Sequence, residues 1–198
     1  PRLAAWDGTK WETFGAPIPT GFGFPYKAIS FDLDGTGINP PRLIAEFPFS
    51  STAKLRYWDG AVWQSLVAGL PSNTGISSWV VFDADGPGPL PERLYAVTFA
   101  SNVWPLMQWN GAAWEQVAAF NGAIRNARVL DEDGAGPLPA KLYLIGEFTT
   151  VNGAPMSKWT VFDGSTFASL PPLAGNEYVS DAAYHDLDGA GPEPRRLF

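Results

Sequence analysis

One twelve-residue pattern, D-x-D-G-x-G-x-x-P-x-[RK]-L, occurs four times without a gap in this chain of 198 residues. It begins at Asp32, Asp83, Asp131 and Asp186, at spacings of 51, 48 and 55 residues. Its prolines are Pro40, Pro91, Pro139 and Pro194, and its cations are Arg42, Arg93, Lys141 and Arg196. Its leucines are Leu43, Leu94, Leu142 and Leu197. A period near 50 residues means that each copy is one supersecondary unit, which buries its apolar face against its neighbours.

A second motif alternates with the first. It reads Trp6-Asp7-Gly8…Trp11, Trp58-Asp59-Gly60…Trp63, Trp109-Asn110-Gly111…Trp114 and Phe162-Asp163-Gly164…Phe167. Asp-Gly and Asn-Gly permit the positive φ of a tight primed hairpin turn. Flanking aromatics suit a pleated, half-buried surface. Gly (21) and Pro (19) make up about a fifth of the chain, which excludes long helices. An aromatic content of 14% excludes a disordered chain.

Each unit therefore reads as four short strands. In the second unit the expected strands are a at 78–83, b at 93–99, c at 105–109 and d at 112–118. The a–b connection carries the acidic motif and the c–d connection is the hairpin. Four-stranded units at this period imply an all-β protein, a β-propeller with four four-stranded blades. The expected blades are about 26–67, 77–118, 123–170, and 178–198 joined with 2–14, in a single domain over 1–198. The N-terminal strands c and d and the C-terminal strands a and b would share one blade and close the ring. The alternative is half of an eight-bladed ring completed by a second copy.

The run Leu142-Tyr143-Leu-Ile-Gly146, and Trp58-Asp59-Gly60-x-x-Trp63-x-x-Leu66, resembles the kelch-type propeller repeat. It is also similar to repeat arrays of secreted bacterial proteins of unassigned function. The resemblance covers essentially the whole chain. It implies a propeller used mostly as a binding platform, with an extracellular or cell-surface, bacterial setting.

Nine of the twenty acids lie in the four acidic loops: Asp32, Asp34, Asp83, Asp85, Asp131, Glu132, Asp133, Asp186 and Asp188. Calcium takes six to eight oxygens, and a D-x-D-G loop supplies few. The favoured reading is a set of Asx turns. The first Asp of each loop stands ten residues before a cation, a spacing that suggests a cross-strand ion pair. No cofactor is expected, with calcium as the alternative at Asp32, Asp34, Asp83, Asp85, Asp131, Asp133, Asp186 and Asp188. Trp58, Trp63, Trp109 and Trp114 read as packing between units. Trp79 and Trp104 stand outside the motif and read as exposed contacts.

The d–a and b–c connections vary between units and would share the opposite face. They contain Phe22, Phe24, Tyr26, Asn73, Thr74, Asn102, Asn121, Thr149, Thr150, Asn152, Asn176, Glu177 and Tyr178. Lys27, Ser78, Asn126 and Asp181 each stand five residues before a motif Asp, at the start of strand a. They would ring the axis, with Arg128 placed either to pair with Asp181 or to reach the channel. The candidate ligand-binding set is Tyr26, Lys27, Ser78, Trp79, Trp104, Asn126, Tyr178 and Asp181.

Catalytic chemistry has little support. The single histidine, His185, aligns with Phe31, Phe82 and Leu130 and reads as a packed core residue. There are no cysteines. A net charge of −7 leaves no basic face for nucleic acid. There is no apolar run long enough for a membrane span. Opening on Pro, the chain reads as processed, truncated or engineered. The expected function is a non-enzymatic binding or scaffold module for a glycan or protein ligand, with self-association possible through the open terminal blade. The alternatives are a carbohydrate-active enzyme using axial carboxylates and an excised or engineered repeat fragment.

Overall fold

The computed structural model describes residues 3–15, 18, 21–35, 37–49, 52–71, 74–99, 103–134, 136–172, 179–188 and 195–198. Among them there is no helix, and therefore none long and apolar enough to cross a membrane. The chain is all-β, in several antiparallel sheets of which none closes on itself. It divides into two compact units, one of Pro1–Ile76 with Asn110–Trp114 and one of Ser77–Trp109 with Glu115–Phe198.

The first unit opens with β1 (Leu3–Trp6) and β2 (Trp11–Phe14), a two-stranded sheet. It continues with β3 (Lys27–Phe31), β4 (Arg42–Phe49), β5 (Thr52–Trp58) and β6 (Trp63–Ser65), four strands paired in chain order. Its core gathers Ile18, Ala45, Phe47 and Trp63, with Phe14, Phe22 and Trp58 packed against them. The aromatic rings interlock at 4.9 Å (Phe47–Trp63) and 5.6 Å (Trp58–Trp63). Trp114 is buried here too, and its indole N–H donates to the Leu66 carbonyl at 3.0 Å.

The second unit begins with β7 (Gly75–Phe82, whose first two residues fall in the first unit), β8 (Arg93–Phe99), β9 (Trp104–Trp109) and β10 (Trp114–Phe120, whose first residue falls in the first unit). Then come β11 (Ile124–Leu130), β12 (Lys141–Gly146), the short hairpin β13 (Thr150–Val151) and β14 (Ala154–Pro155), β15 (Trp159–Phe162) and β16 (Phe167–Ser169). The last pair is β17 (Tyr184–His185) and β18 (Arg196–Leu197). Strands β8 and β12 are buried along nearly their whole length. That explains why they read as continuous apolar runs rather than alternating ones.

The four expected strands of the second copy are β7 to β10, but their sheet has six strands. The extra two are β13 and β14, which fold out of the third copy's b–c connection and pair with β10 through Phe120 and Val151. Asn121, Thr149, Thr150 and Asn152, read from the sequence as variable loop residues, are the fittings of this joint. The Asn121 carboxamide accepts the Thr149 and Thr150 N–H groups at 2.8 and 2.9 Å, and Asn152 accepts the Ala119 N–H at 2.9 Å. Thr74 is likewise buried, with its hydroxyl on the Pro71 carbonyl, and Phe22 packs on the first unit's core.

The hairpins differ from the two-residue turn the motif suggests. Trp6 pairs with Trp11, Trp58 with Trp63 and Phe162 with Phe167, leaving four residues in each loop. The Asp closes the loop with its side chain. In Asp59 one carboxylate oxygen accepts the N–H groups of Ala61 and Val62, both at 2.8 Å. The next residue sits near φ +100° in all four copies, which is why it is glycine.

The two motifs meet across each sheet. Leu142 lies opposite Phe162 on β12 and β15. The registers Ile44–Tyr57 and Tyr95–Gln108 bring Leu43 opposite Trp58 and Leu94 opposite Trp109, one step along. Successive copies then interlock. Phe82 and Tyr95 of one copy and Phe162 of the next form a triangle of rings with centroids 5.9, 6.4 and 6.0 Å apart. Such ring pairs contribute about 0.5–1.5 kcal/mol each beyond their buried area.

Candidate ligand-binding site

In the second unit, hydrogen bonds link Ser78 within β7 to Ala127 of β11, and Asn126 and Arg128 of β11 to Asp181, which lies three residues ahead of β17. Ser78 on β7 accepts the Ala127 N–H at 3.2 Å through its hydroxyl. Asn126, on the neighbouring β11, donates from its side-chain nitrogen to Asp181 Oδ1 at 3.0 Å. Arg128, two residues along and so on the same face, reaches Asp181 as well. Its Nε donates to Oδ1 and its Nη2 to Oδ2, both at 2.8 Å. The Ala182 N–H adds a fourth bond to the carboxylate at 2.9 Å. The Arg128 guanidinium, bonded to Asp181, holds the Asp181 carboxyl below the usual carboxylate range. Three of the four polar residues read at the strand starts are thus brought together, and of the two placements read for Arg128 the structure has the pairing with Asp181. The fourth, Lys27, belongs to the first unit and stands opposite Glu46 in the β3–β4 register.

Other predicted contacts are placed differently. Trp79 is 1% exposed and belongs to the core, so it is no ligand contact. Trp104 is half-buried, stacked on Phe99 at 5.2 Å and packed against the second unit's core. Tyr26 is exposed, and its N–H donates to the Glu46 carbonyl. Tyr178, with Asn73, Asn102, Asn176 and Glu177, lies outside the described residues. His185 is exposed rather than packed, with Phe198 as its ring neighbour at 6.3 Å.

The acidic loops are turns closed by their own carboxylates. Asp32 Oδ1 accepts the N–H groups of Asp34 and Gly35, both at 3.2 Å, and Oδ2 accepts that of Gly37 at 2.9 Å. Asp131 repeats this with Asp133 and Gly134, while Asp83 and Asp186 each accept from the Asp two residues on. Asp85 and Asp133 each reach five residues ahead, to the N–H of Leu90 and of Leu138. Asn39 donates to Asp34. Among the described residues no three His, Cys, Asp or Glu side chains converge as metal ligands. The ion pair inferred from the ten-residue spacing is made in the third copy by another acid: Lys141 holds Glu132 at 3.1 Å, not Asp131.

That Glu132 anchors a network the sequence reading missed. It accepts the Tyr143 hydroxyl at 2.6 Å, and Tyr143 meets the Tyr184 hydroxyl at 3.0 Å. The Tyr143 hydrogen bond holds the Glu132 carboxyl below its usual range, and burial pushes the Tyr143 phenol up. The signal was available, because Glu132 replaces the Leu33, Ala84 and Leu187 of the other copies. Also unforeseen is a cleft of about 510 Å³ in the first unit, walled by Phe14, Pro40, Pro41, Arg42 and Trp58. Asp59 at its rim is committed to its own turn and to the Gln64 side chain.

No protein-family model, curated protein or solved structure matches this chain.

Proposed function

We propose that the chain is a non-enzymatic binding module made of β-propeller blades of kelch-like type. Its ligand would be a glycan, held at the Ser78–Asn126–Arg128–Asp181 cluster. The propeller reading rests on the four paired motifs and on the ring triangle that locks successive copies. The binding reading rests on one observation, the state of Asp181. Its two oxygens accept four N–H bonds and its proton affinity is lowered. A carboxylate so held is a poor general acid and a poor nucleophile, because both roles need a raised pKa or free lone pairs. It serves instead to orient Arg128.

A guanidinium has five N–H donors, two of which are used on Asp181, so three remain on a side chain that is about half exposed. The Asn126 carbonyl supplies an acceptor beside them. Fixed donors next to an acceptor, with formal charge neutralised in place, match the paired hydroxyls of a sugar better than they match a free anion. A glycan binder of this kind works at or outside a cell surface.

An oligosaccharide array, read together with a panel of chromogenic glycosides, tests this. The expected result is binding that Arg128→Ala abolishes, with no turnover. Turnover that Asp181→Asn abolishes would overturn it in favour of a carbohydrate-active enzyme.

A further inference from the structure

Four departures from the repeat meet at one junction inside the second unit. Arg128 stands where the other copies have Ile29, Val80 and Ala183, and Glu132 where they have Leu33, Ala84 and Leu187. Asp181 takes the place of Lys27, Ser78 and Asn126, and Tyr184 that of Ser30, Val81 and Val129. The preceding junction is made by rings, Phe82 and Tyr95 against Phe162. This one is made by polar groups in two sets. One set ends on Asp181 and the other on Tyr184, three residues further along.

Arg128 and Tyr143 lie directly opposite each other in the β11–β12 register, so their side chains share one face of the sheet. Arg128 holds Asp181. Tyr143 holds Tyr184, hydroxyl to hydroxyl at 3.0 Å, with the rings 6.0 Å apart. Tyr143 is fully buried and donates its own hydroxyl to Glu132 at 2.6 Å, which leaves Tyr184 as the donor of the hydroxyl pair. Lys141 in turn reaches both Glu132 oxygens at 3.1 Å. Ala182, between the two anchors, is buried. The Arg128–Asp181 pair is about half exposed, and a pair so exposed is too weak to fix a chain segment by itself. The hydroxyl chain runs through a buried phenol to a charged acceptor, and hydrogen bonds of that kind are the stronger ones.

We propose that Tyr143 and Tyr184 are positioning residues of the Asp181 cluster, their hydroxyl pair holding residues 181–184 in the register that lets both Asp181 oxygens meet Arg128. The inference rests on reading that cluster as a glycan site. Three residues of extended chain span about 10 Å, so pinning Tyr184 leaves Asp181 little travel. A carboxylate held by two parallel bonds fixes the plane of the guanidinium, and with it the direction of the remaining donors. Among the described residues neither hydroxyl bonds to Arg128, Asn126 or Asp181, so the effect passes through the chain.

Tyr184→Phe tests it, because it removes one hydroxyl and leaves the ring and the Tyr143–Glu132 bond in place. Three quantities are read. They are the carbon NMR titration of the Asp181 carboxyl, assigned by its loss in Asp181→Asn, binding on the oligosaccharide array, and the urea midpoint. The Asp181 carboxyl, held below the usual range by Arg128, is expected to move up toward it. Affinity is expected to fall about 3- to 10-fold, the worth of one hydrogen bond. Adding Tyr143→Phe should cost no further affinity, since the two hydroxyls act as one link. An Asp181 titration unchanged in Tyr184→Phe overturns the proposal, whatever the midpoint does, because the hydroxyls then serve stability alone. A shifted titration with affinity unchanged overturns it too. A shifted titration in a protein that binds no oligosaccharide upholds the positioning and overturns the glycan reading instead.

Discussion

Arg128 grips Asp181 with two parallel N–H···O bonds, Nε to Oδ1 and Nη2 to Oδ2, both 2.8 Å long. The two residues are 53 positions apart in the chain and stand on successive copies of one repeat. Arg128 is a departure from the repeat, since Ile29, Val80 and Ala183 hold its place elsewhere. A charge placed where its equivalents are small or aliphatic, and met by a carboxylate in the next copy, is a local specialisation of a repeated scaffold.

Because both partners are about half exposed, the pair contributes little to stability. Arg128→Ala is expected to lower unfolding free energy by no more than about 1 kcal/mol. Ligand affinity should fall at least about tenfold, or ~1.4 kcal/mol, since the oriented donors go with the side chain. Chemical denaturation beside glycan titration separates the two effects. A large stability loss with affinity unchanged would contradict the site.

The hairpin carboxylates make stability depend on acid. The Val62 N–H, first among its partners, draws the Asp59 carboxyl down to about 2 from the ordinary 3.8. Asp163 is lowered chiefly by the Thr166 N–H and Asp7 chiefly by that of Lys10. A folded-state value below the unfolded one means stability that is complete above the unfolded value and lost as pH falls through the folded one. The denaturation midpoint is therefore expected to hold above about pH 4 and to drop between about pH 4 and pH 2. Asp59→Asn with Asp163→Asn should lower the plateau and flatten that drop.

Gly146 ends β12 where no side chain fits. A Cβ there would stand 2.0 Å from the Ala123 carbonyl oxygen. The Glu147 N–H donates to that same oxygen at 2.8 Å, so the backbone has little room to retreat. Gly146→Ala is expected to destabilise by about 2–3 kcal/mol through overpacking. Urea unfolding should show a lower midpoint with an unchanged slope, which places the effect in the folded state.

The acidic loops use their carboxylates on their own backbone. Addition of a chelator is accordingly expected to leave the melting temperature unchanged. A calcium-reversible fall would mean that ion binding contributes to the folded state, as linkage requires.

The repeat period, most of the strands and the places of the turns were legible in the sequence. The motif glycines, the capping Asp residues and the apolar runs of β8 and β12 act through neighbours along the chain or across one hairpin. Their spacing therefore carries the information. What it did not carry was anything set by contact beyond chain neighbours and single hairpins, within a copy or between copies. Trp79 lies outside both motifs and yet is 1% exposed, a burial that no spacing along the chain signals. Asn121 and Asn152 have loop composition but join β13 to the preceding sheet. Lys141 stands ten residues from Asp131 but takes Glu132, since the turn has already spent Asp131 on backbone N–H groups. The Asp181 carboxylate was legible as a polar residue at a strand start. That it is saturated by Arg128, Asn126 and the Ala182 N–H was settled by tertiary packing, which alone brings the segment before β17 to hydrogen-bond distance of β11.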